Sequence, residues 1–197
     1  MPIIGLVRHG ITDWNAQNRA QGRTDIPLNA EGRRQAHWLA QRLMNEHWDT
    51  IVTSPLIRAR ETAEILARGI QMQNIIKCTS ISEMDCGLIE GTTEDERLAR
   101  WGADWRQQDL GMEHFELIAA RGTQFLEEVW RSYSGQRVLV VSHGAIIGLS
   151  LQKLLPERFA TTYINNASLT LLTKVSGTWD CTLYNDTNHL TYSDHVQ

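Results

Sequence analysis

Four residues of this chain carry reactive side chains at places where a fold would expose them: Arg8, His9, Arg58 and His143. Arg8-His9 follows the apolar run Ile3–Val7, and His143 follows RVLVVS at 137–142. Arg58 falls in the opening turn of a helical stretch behind Ser54-Pro55. A short, continuous apolar run is what a strand buried on both faces presents. In open parallel sheets the carboxyl ends of strands form the ligand crevice, where following helices point free N–H groups outward. Two arginines, two histidines and helix amides on that edge describe a pocket for a tetrahedral oxyanion, because a guanidinium fork matches paired oxygens. Each residue alone is weak evidence, since a lone strand-end His is usually a hydrogen-bonded structural residue. Their coincidence is stronger. Gly10 and Gly144 directly follow the two histidines and would let backbone approach a ligand closely.

The frame that must position them is legible in outline. A chain of 197 residues suits one domain, here 1–197, able to bury about 70% of its unfolded surface. Ala36, Leu39, Ala40 and Leu43 follow helical spacing, so Ala30–Glu46 is predicted helical. Thr50–Thr53 reads as a strand. Ser54 would cap, and Pro55 open, a helix running to about Arg68. Ile75–Cys78 is a third candidate strand, Arg137–Ser142 the clearest one, and a helix starts at Gly144. Alternating residues on either side of Ser176-Gly177 predict an antiparallel hairpin. The stretch from about Thr92 to Ser132 reads as helical and as a cap over one end of the sheet. The expected fold is an α/β three-layer sandwich with a mainly parallel central sheet, a C-terminal antiparallel hairpin and a helical cap.

Composition narrows the partners. A formal net charge of −4 supplies no global positive field for nucleic acid or a membrane surface, so neither is an expected partner. Cys78, Cys86 and Cys181 form no CxxC pair, which favours a reduced, cytoplasmic chain over a secreted one. The N-terminus meets Arg8 too soon for a signal peptide, and the longest apolar stretch, Val138–Leu151, is too short to span a bilayer. His37, His47, His114, His189 and His195 lack metal-ligand spacing, so no metal and no cofactor are expected. Trp101, Trp105 and Trp130 are read as packing within the cap, not as base-stacking platforms. Nothing in the sequence sets an oligomeric state.

Five ordered blocks carry a resemblance across nearly the whole chain. They are LVRHGITDWN at 6–15, QGRTDIPLN at 21–29 with Glu31-Gly32, SPLIRARETA at 54–63, Glu83 with GLIEG at 87–91, and VVSHG at 140–144. The sequence resembles the histidine phosphatase superfamily in its phosphoglycerate mutase-like branch, including the small broad-specificity and α-ribazole phosphate phosphatases. Even the segment NDTNHL at 185–190 looks like that family's ending. The resemblance implies that His9 is the nucleophile and His143 stabilises the transferring group. It implies that Arg8 and Arg58 clamp the phosphate, with Asn15 donating a further hydrogen bond and Gly144 beside it. Gln21 and Gly22 would line the pocket mouth. Glu83 matches the family's general acid, and Glu90 is read as structural. Three positions depart from the pattern: Ile11 for the common Glu or Gln, Ser82 for a frequent Arg, and Met112 for a frequent Gly.

These residues lead to the expectation of a phosphomonoesterase acting on a small phosphorylated metabolite through a phosphohistidine. A cofactor-dependent phosphoglycerate mutase is the alternative; such bacterial mutases carry extra shielding loops, and the length of this chain favours the phosphatase. A non-catalytic phospho-ligand binding module would be expected to have lost His9 or Glu83, and both are present.

Overall fold

The computed structural model describes residues 1–190, so His195 lies outside the described residues. β1 (Ile3–Arg8) lies inside a six-stranded sheet, which explains why both of its faces are apolar. It pairs in parallel with β4 (Arg137–Ser142) on one side and antiparallel with β5 (Leu169–Val175) on the other. β2 (Thr50–Thr53) and β3 (Ile75–Lys77) extend the parallel part, and β6 (Thr178–Asp186) completes the hairpin, giving the order β3-β2-β4-β1-β5-β6. The expected hairpin and parallel core are both present.

Helices α2 (Ala30–Leu43) and α3 (Ile57–Gly69) cover one face of the sheet. Leu39, Leu43, Ala59, Ala63 and Leu66 pack there on Val7, Ile51, Leu139 and Val141. On the opposite face, α5 (Phe115–Ser132) and α6 (Gly144–Leu154) bring Phe125, Leu126, Val129, Ile147 and Leu151 against Ile4, Leu6, Val138 and Val140. Successive β1 residues therefore feed two separate cores, as the two-residue strand period dictates. Two short helices, α1 (Asp13–Ala16) and α4 (Glu94–Trp101), lie outside these layers. Among the described residues no helix is long and apolar enough to cross a membrane.

Three expectations need correction. α5 is a layer of the sandwich and not part of the cap, because its apolar stripe finds the sheet and α6. The cap is the segment before it, with Cys86, Ile89, Trp105 and Leu110 as a small core of its own. Trp130 likewise packs edge-on against Trp179 of the hairpin, away from the cap. Finally, Ser54 is not the helix cap. α3 starts at Ile57 with no side-chain cap from its own N-cap residue, and Asp25 accepts the Ile57 N–H at 2.6 Å instead.

Candidate active site

Sheet register brings the two histidines together. β1 and β4 run in parallel with Arg8 opposite Ser142, so both strands end in step. The next residues, His9 and His143, then meet edge-to-face with ring centroids 5.2 Å apart, and the His9 N–H donates to Ser142 O at 3.0 Å. β2 flanks β4 on its other side and delivers Ser54, whose Oγ lies 2.7 Å from His143 Nε2. That hydroxyl also accepts the Leu56 N–H at 3.3 Å, but α3 begins only at Ile57, whose N–H goes to Asp25. Arg58, the second residue of α3, is fully buried; its Nη1 and Nη2 donate to Thr24 O at 2.9 Å and Gly22 O at 2.7 Å. Arg8 Nη1 donates to Ile164 O. Among the described residues these bonds go to backbone carbonyls and not to carboxylates. Arg8 Nε, Arg58 Nε and His143 Nδ1 are buried without a hydrogen-bond partner. Unpaired buried N–H groups on two cations are costly, and the ligand they suit is an anion.

The electrostatics hold the imidazoles neutral. Burial, then the positive charges of Arg58 and Arg8, push His9 well below the usual histidine range; burial and Arg58 do the same to His143. His9 Nδ1 sits 2.7 Å from the Gly10 carbonyl, which fixes the proton on Nδ1 and leaves the Nε2 lone pair free to attack. Burial lowers Arg8 and Arg58 as well, partly offset in both by the Glu83 carboxylate.

The remaining predicted residues surround this cluster. Arg8, His9, Asn15, Gln21, Gly22, Arg58 and Glu83 line one cavity of about 200 Å³. Asn15 Oδ1 accepts from the Thr12 N–H at 3.1 Å and Asn166 Nδ2 at 3.2 Å, so its own amide N–H₂ remains as the donor. Gln21 is buried and accepts from Thr12 Oγ1 at 2.9 Å. Gly22 adopts φ +50°, and a Cβ there would fall 1.9 Å from a Glu90 oxygen. Glu83 accepts from its neighbour's Met84 N–H at 2.9 Å and from the Ala145 N–H of α6 at 3.3 Å. Glu83 and Arg8 also border a second cavity of about 360 Å³, whose wall includes Met84, Phe115, Gly144, Leu149 and Tyr163. The two glycines also meet protein closely. A Cβ on Gly10 would meet Gly32 O at 2.4 Å, and one on Gly144 would meet Arg8 Nε at 3.3 Å. Gly10 lets α2 seat against the His9 turn, and Gly144 makes room for the Arg8 side chain.

The family pattern of the histidine phosphatase superfamily (branch 1) matches residues 4–187. The chain belongs to that superfamily. A relative with a similar sequence is the uncharacterized phosphatase PhoE of Bacillus subtilis, 38% identical over 193 residues and covering 96% of this chain and 97% of the relative. A probable phosphoglycerate mutase, GpmB of Yersinia enterocolitica, is 32% identical and covers 89% of this chain and 86% of its own. A solved structure of a phosphoserine phosphatase mutant from Entamoeba histolytica, in complex with phosphoserine, superposes with TM-score 0.83. It is 27% identical and covers 96% of this chain and 100% of its own. The expected enzyme class, a phosphatase with a mutase as the alternative, is borne out.

Several further residues support this histidine phosphatase site. Asn166 Nδ2 donates to His9 O at 3.1 Å, and the Gly10 N–H donates to Thr62 Oγ1 at 3.1 Å. Glu90, read as structural, accepts the N–H groups of Arg23 at 2.8 Å and Thr24 at 2.9 Å, pinning the loop that meets Arg58. Cys86 lines the cavity, but burial first and nearby carboxylates second push its thiol up to about 12, so it is no nucleophile.

Proposed function

We propose that this chain hydrolyses a small phosphomonoester in two steps through a phosphohistidine on His9. The observation that carries the reading is the pair of buried arginines beside a neutral histidine, with Arg8 Nε, Arg58 Nε and His143 Nδ1 left unpaired around it. In the first step His9 Nε2 attacks phosphorus, the P–O bond to the alcohol breaks, and Glu83 gives its proton to the departing oxygen. Arg8 and Arg58 hold the non-bridging oxygens. With Ser54 Oγ–H donating to His143 Nε2, the His143 proton sits on Nδ1 and is a further donor to developing charge. Asn15 adds its amide N–H. In the second step Glu83 takes a proton from water, which attacks phosphorus and releases His9 and inorganic phosphate.

The neighbouring cavity bordered by Glu83 offers a place for the alcohol portion of the substrate. The phosphoserine bound by the Entamoeba relative supports a substrate of that size. The mutase reading uses the same groups and differs only in returning the phosphoryl group to the substrate. A phosphate-release screen over phosphoserine, phosphoglycerates, sugar phosphates, nucleotides and α-ribazole phosphate tests the proposal. It should be repeated for mutase activity with and without 2,3-bisphosphoglycerate. Release of phosphate in its absence supports the phosphatase; isomerisation without net release would overturn it in favour of the mutase.

A further inference from the structure

Glu83 sits on irregular backbone between two short 3-10 turns, Thr79–Ile81 and Gly87–Ile89. A proton donor must be held within about 0.5 Å of its working position, and a loop does not provide that by itself. The Ile81 carbonyl is tied to β4 by Ser142 Oγ at 2.7 Å. The Glu83 carboxylate itself accepts the Ala145 N–H at 3.3 Å, and further along the Cys86 N–H donates to Glu90 Oε1 at 3.3 Å. The remaining long-range backbone bonds between Ser80 and Asp85 run through one ion pair. Arg121, on α5, donates through Nη1 to Ser80 O at 2.9 Å and Ser82 O at 2.7 Å. Its Nε and Nη2 engage both oxygens of Glu113, at 2.9 and 3.1 Å. Glu113 Oε2 then accepts the Asp85 N–H at 3.1 Å, and the Glu113 N–H donates to Asp85 O at 2.8 Å. One guanidinium therefore holds the carbonyls just before the acid and, through a carboxylate, the peptide two residues after it. Both side chains are largely covered, Arg121 at 22% exposure and Glu113 at 14%. Burial alone would raise the Glu113 carboxyl, yet the bonds from Arg121 and Asp85 hold it below the usual range. The fork's three nitrogens are all engaged by protein, which distinguishes Arg121 from a substrate-binding cation.

We infer that Arg121 and Glu113 form a buckle that positions Glu83 for proton transfer, without touching substrate themselves. This rests on the reading of Glu83 as the general acid. The two can be separated with leaving groups. Nitrophenolate departs unaided near neutral pH, whereas an alkoxide needs its proton as the P–O bond breaks. The test compares phosphohistidine bursts by rapid quench for an alkyl phosphate and 4-nitrophenyl phosphate in wild type, Glu83→Gln, Arg121→Gln, Arg121→Lys and Glu83→Gln/Arg121→Gln. Glu83→Gln should slow the alkyl burst by about 10²–10⁴-fold and the nitrophenyl burst far less. Arg121→Gln should slow the alkyl burst by about tenfold or more, with less than threefold on nitrophenyl phosphate. Arg121→Lys should recover part of the loss, since an ammonium reaches the carbonyls but cannot form the fork. In the double variant the Arg121 change should add almost nothing, because its effect passes through Glu83.

If Glu83→Gln slows both bursts equally, the general-acid reading itself fails. If Glu83→Gln discriminates but Arg121→Gln slows both equally, slows neither, or adds fully in the double variant, the buckle is wrong. Glu113→Gln keeps an acceptor for the Asp85 N–H while removing the charge. It should reproduce the alkyl-selective loss even if Arg121→Gln does not fold.

Discussion

Arg8, His9 and His143 stand at the ends of paired strands, whereas Glu83 stands on a loop between two 3-10 turns. The strand-end group is placed by the sheet itself: register fixes His9 beside His143, and β2 brings Ser54 to within 2.7 Å of the second ring. The loop group is placed mostly by side-chain bonds, through Arg121, Glu113 and Ser142, with the Ala145 N–H on the carboxylate itself. The first arrangement is stiff because disturbing it means breaking a buried ladder between two cores. The second depends on one partly exposed ion pair and a few backbone bonds. On the proposed mechanism, phosphate chemistry on this fold would combine a fixed anion seat with an acid whose position is locally set. Damage to the seat should abolish reaction with any ester, and damage to the loop should be selective for poor leaving groups.

The largest expected effect is at the seat. His9→Ala should remove turnover for all leaving groups while circular dichroism still shows a folded protein. Retained activity on nitrophenyl phosphate would mean that the nucleophile lies elsewhere. Arg58→Ala comes next, with an expected loss of about 2–5 kcal/mol in kcat/KM, the range for unpairing a buried charge. Arg58→Lys should stay well below wild type, because a point charge cannot serve Gly22 O, Thr24 O and a phosphate oxygen together. A fully active lysine variant would remove the argument for a fork. Unlike changes at the loop, both Arg58 variants should lose activity equally on alkyl and nitrophenyl esters.

The smallest effect is on stability against pH. His9 and His143 are held below the usual histidine value in the folded chain, so below about pH 6.5 the unfolded chain takes up protons that the folded chain refuses. Stability should therefore fall as pH drops from about 6.5, by up to about 1.4 kcal/mol per pH unit for each histidine. Urea midpoints at pH 7, 6 and 5 should fall less steeply for His9→Ala than for wild type. Parallel slopes would show that the imidazole is not held neutral by its burial.

The seat was readable in the sequence because its signals are local. Apolar runs ending in Arg-His-Gly and Ser-His-Gly specify strands, ends and reactive groups together. The Arg137–Ser142 strand and the hairpin about Ser176-Gly177 were readable for the same reason. Ser54 reads as a helix cap because Ser-Pro is also a helix-start signal, and only the fold shows its hydroxyl facing His143. The role of α5 as a layer was hidden because an amphipathic stripe does not say which surface it covers. The pairing of Arg121 with Glu113 and with the backbone carbonyls left no trace in the sequence. The Arg121 bonds reach carbonyls 41 and 39 residues away, and backbone acceptors leave no mark on residue type. Glu83 itself emerged only through resemblance to the family, being one of several acids in its stretch.

The central claim is that a neutral His9 receives the phosphoryl group, and a rapid quench after mixing with substrate tests it most directly. Two other hydroxyl or thiol side chains lie near the site, Ser54 beside His143 and Cys86, whose thiol burial keeps protonated, and each is a position the same quench would reveal. The account predicts an acid-labile, base-stable phosphoenzyme that maps to His9 and is absent in His9→Ala. An acid-stable phosphoserine at Ser54, or a phosphorylated Cys86, would contradict it.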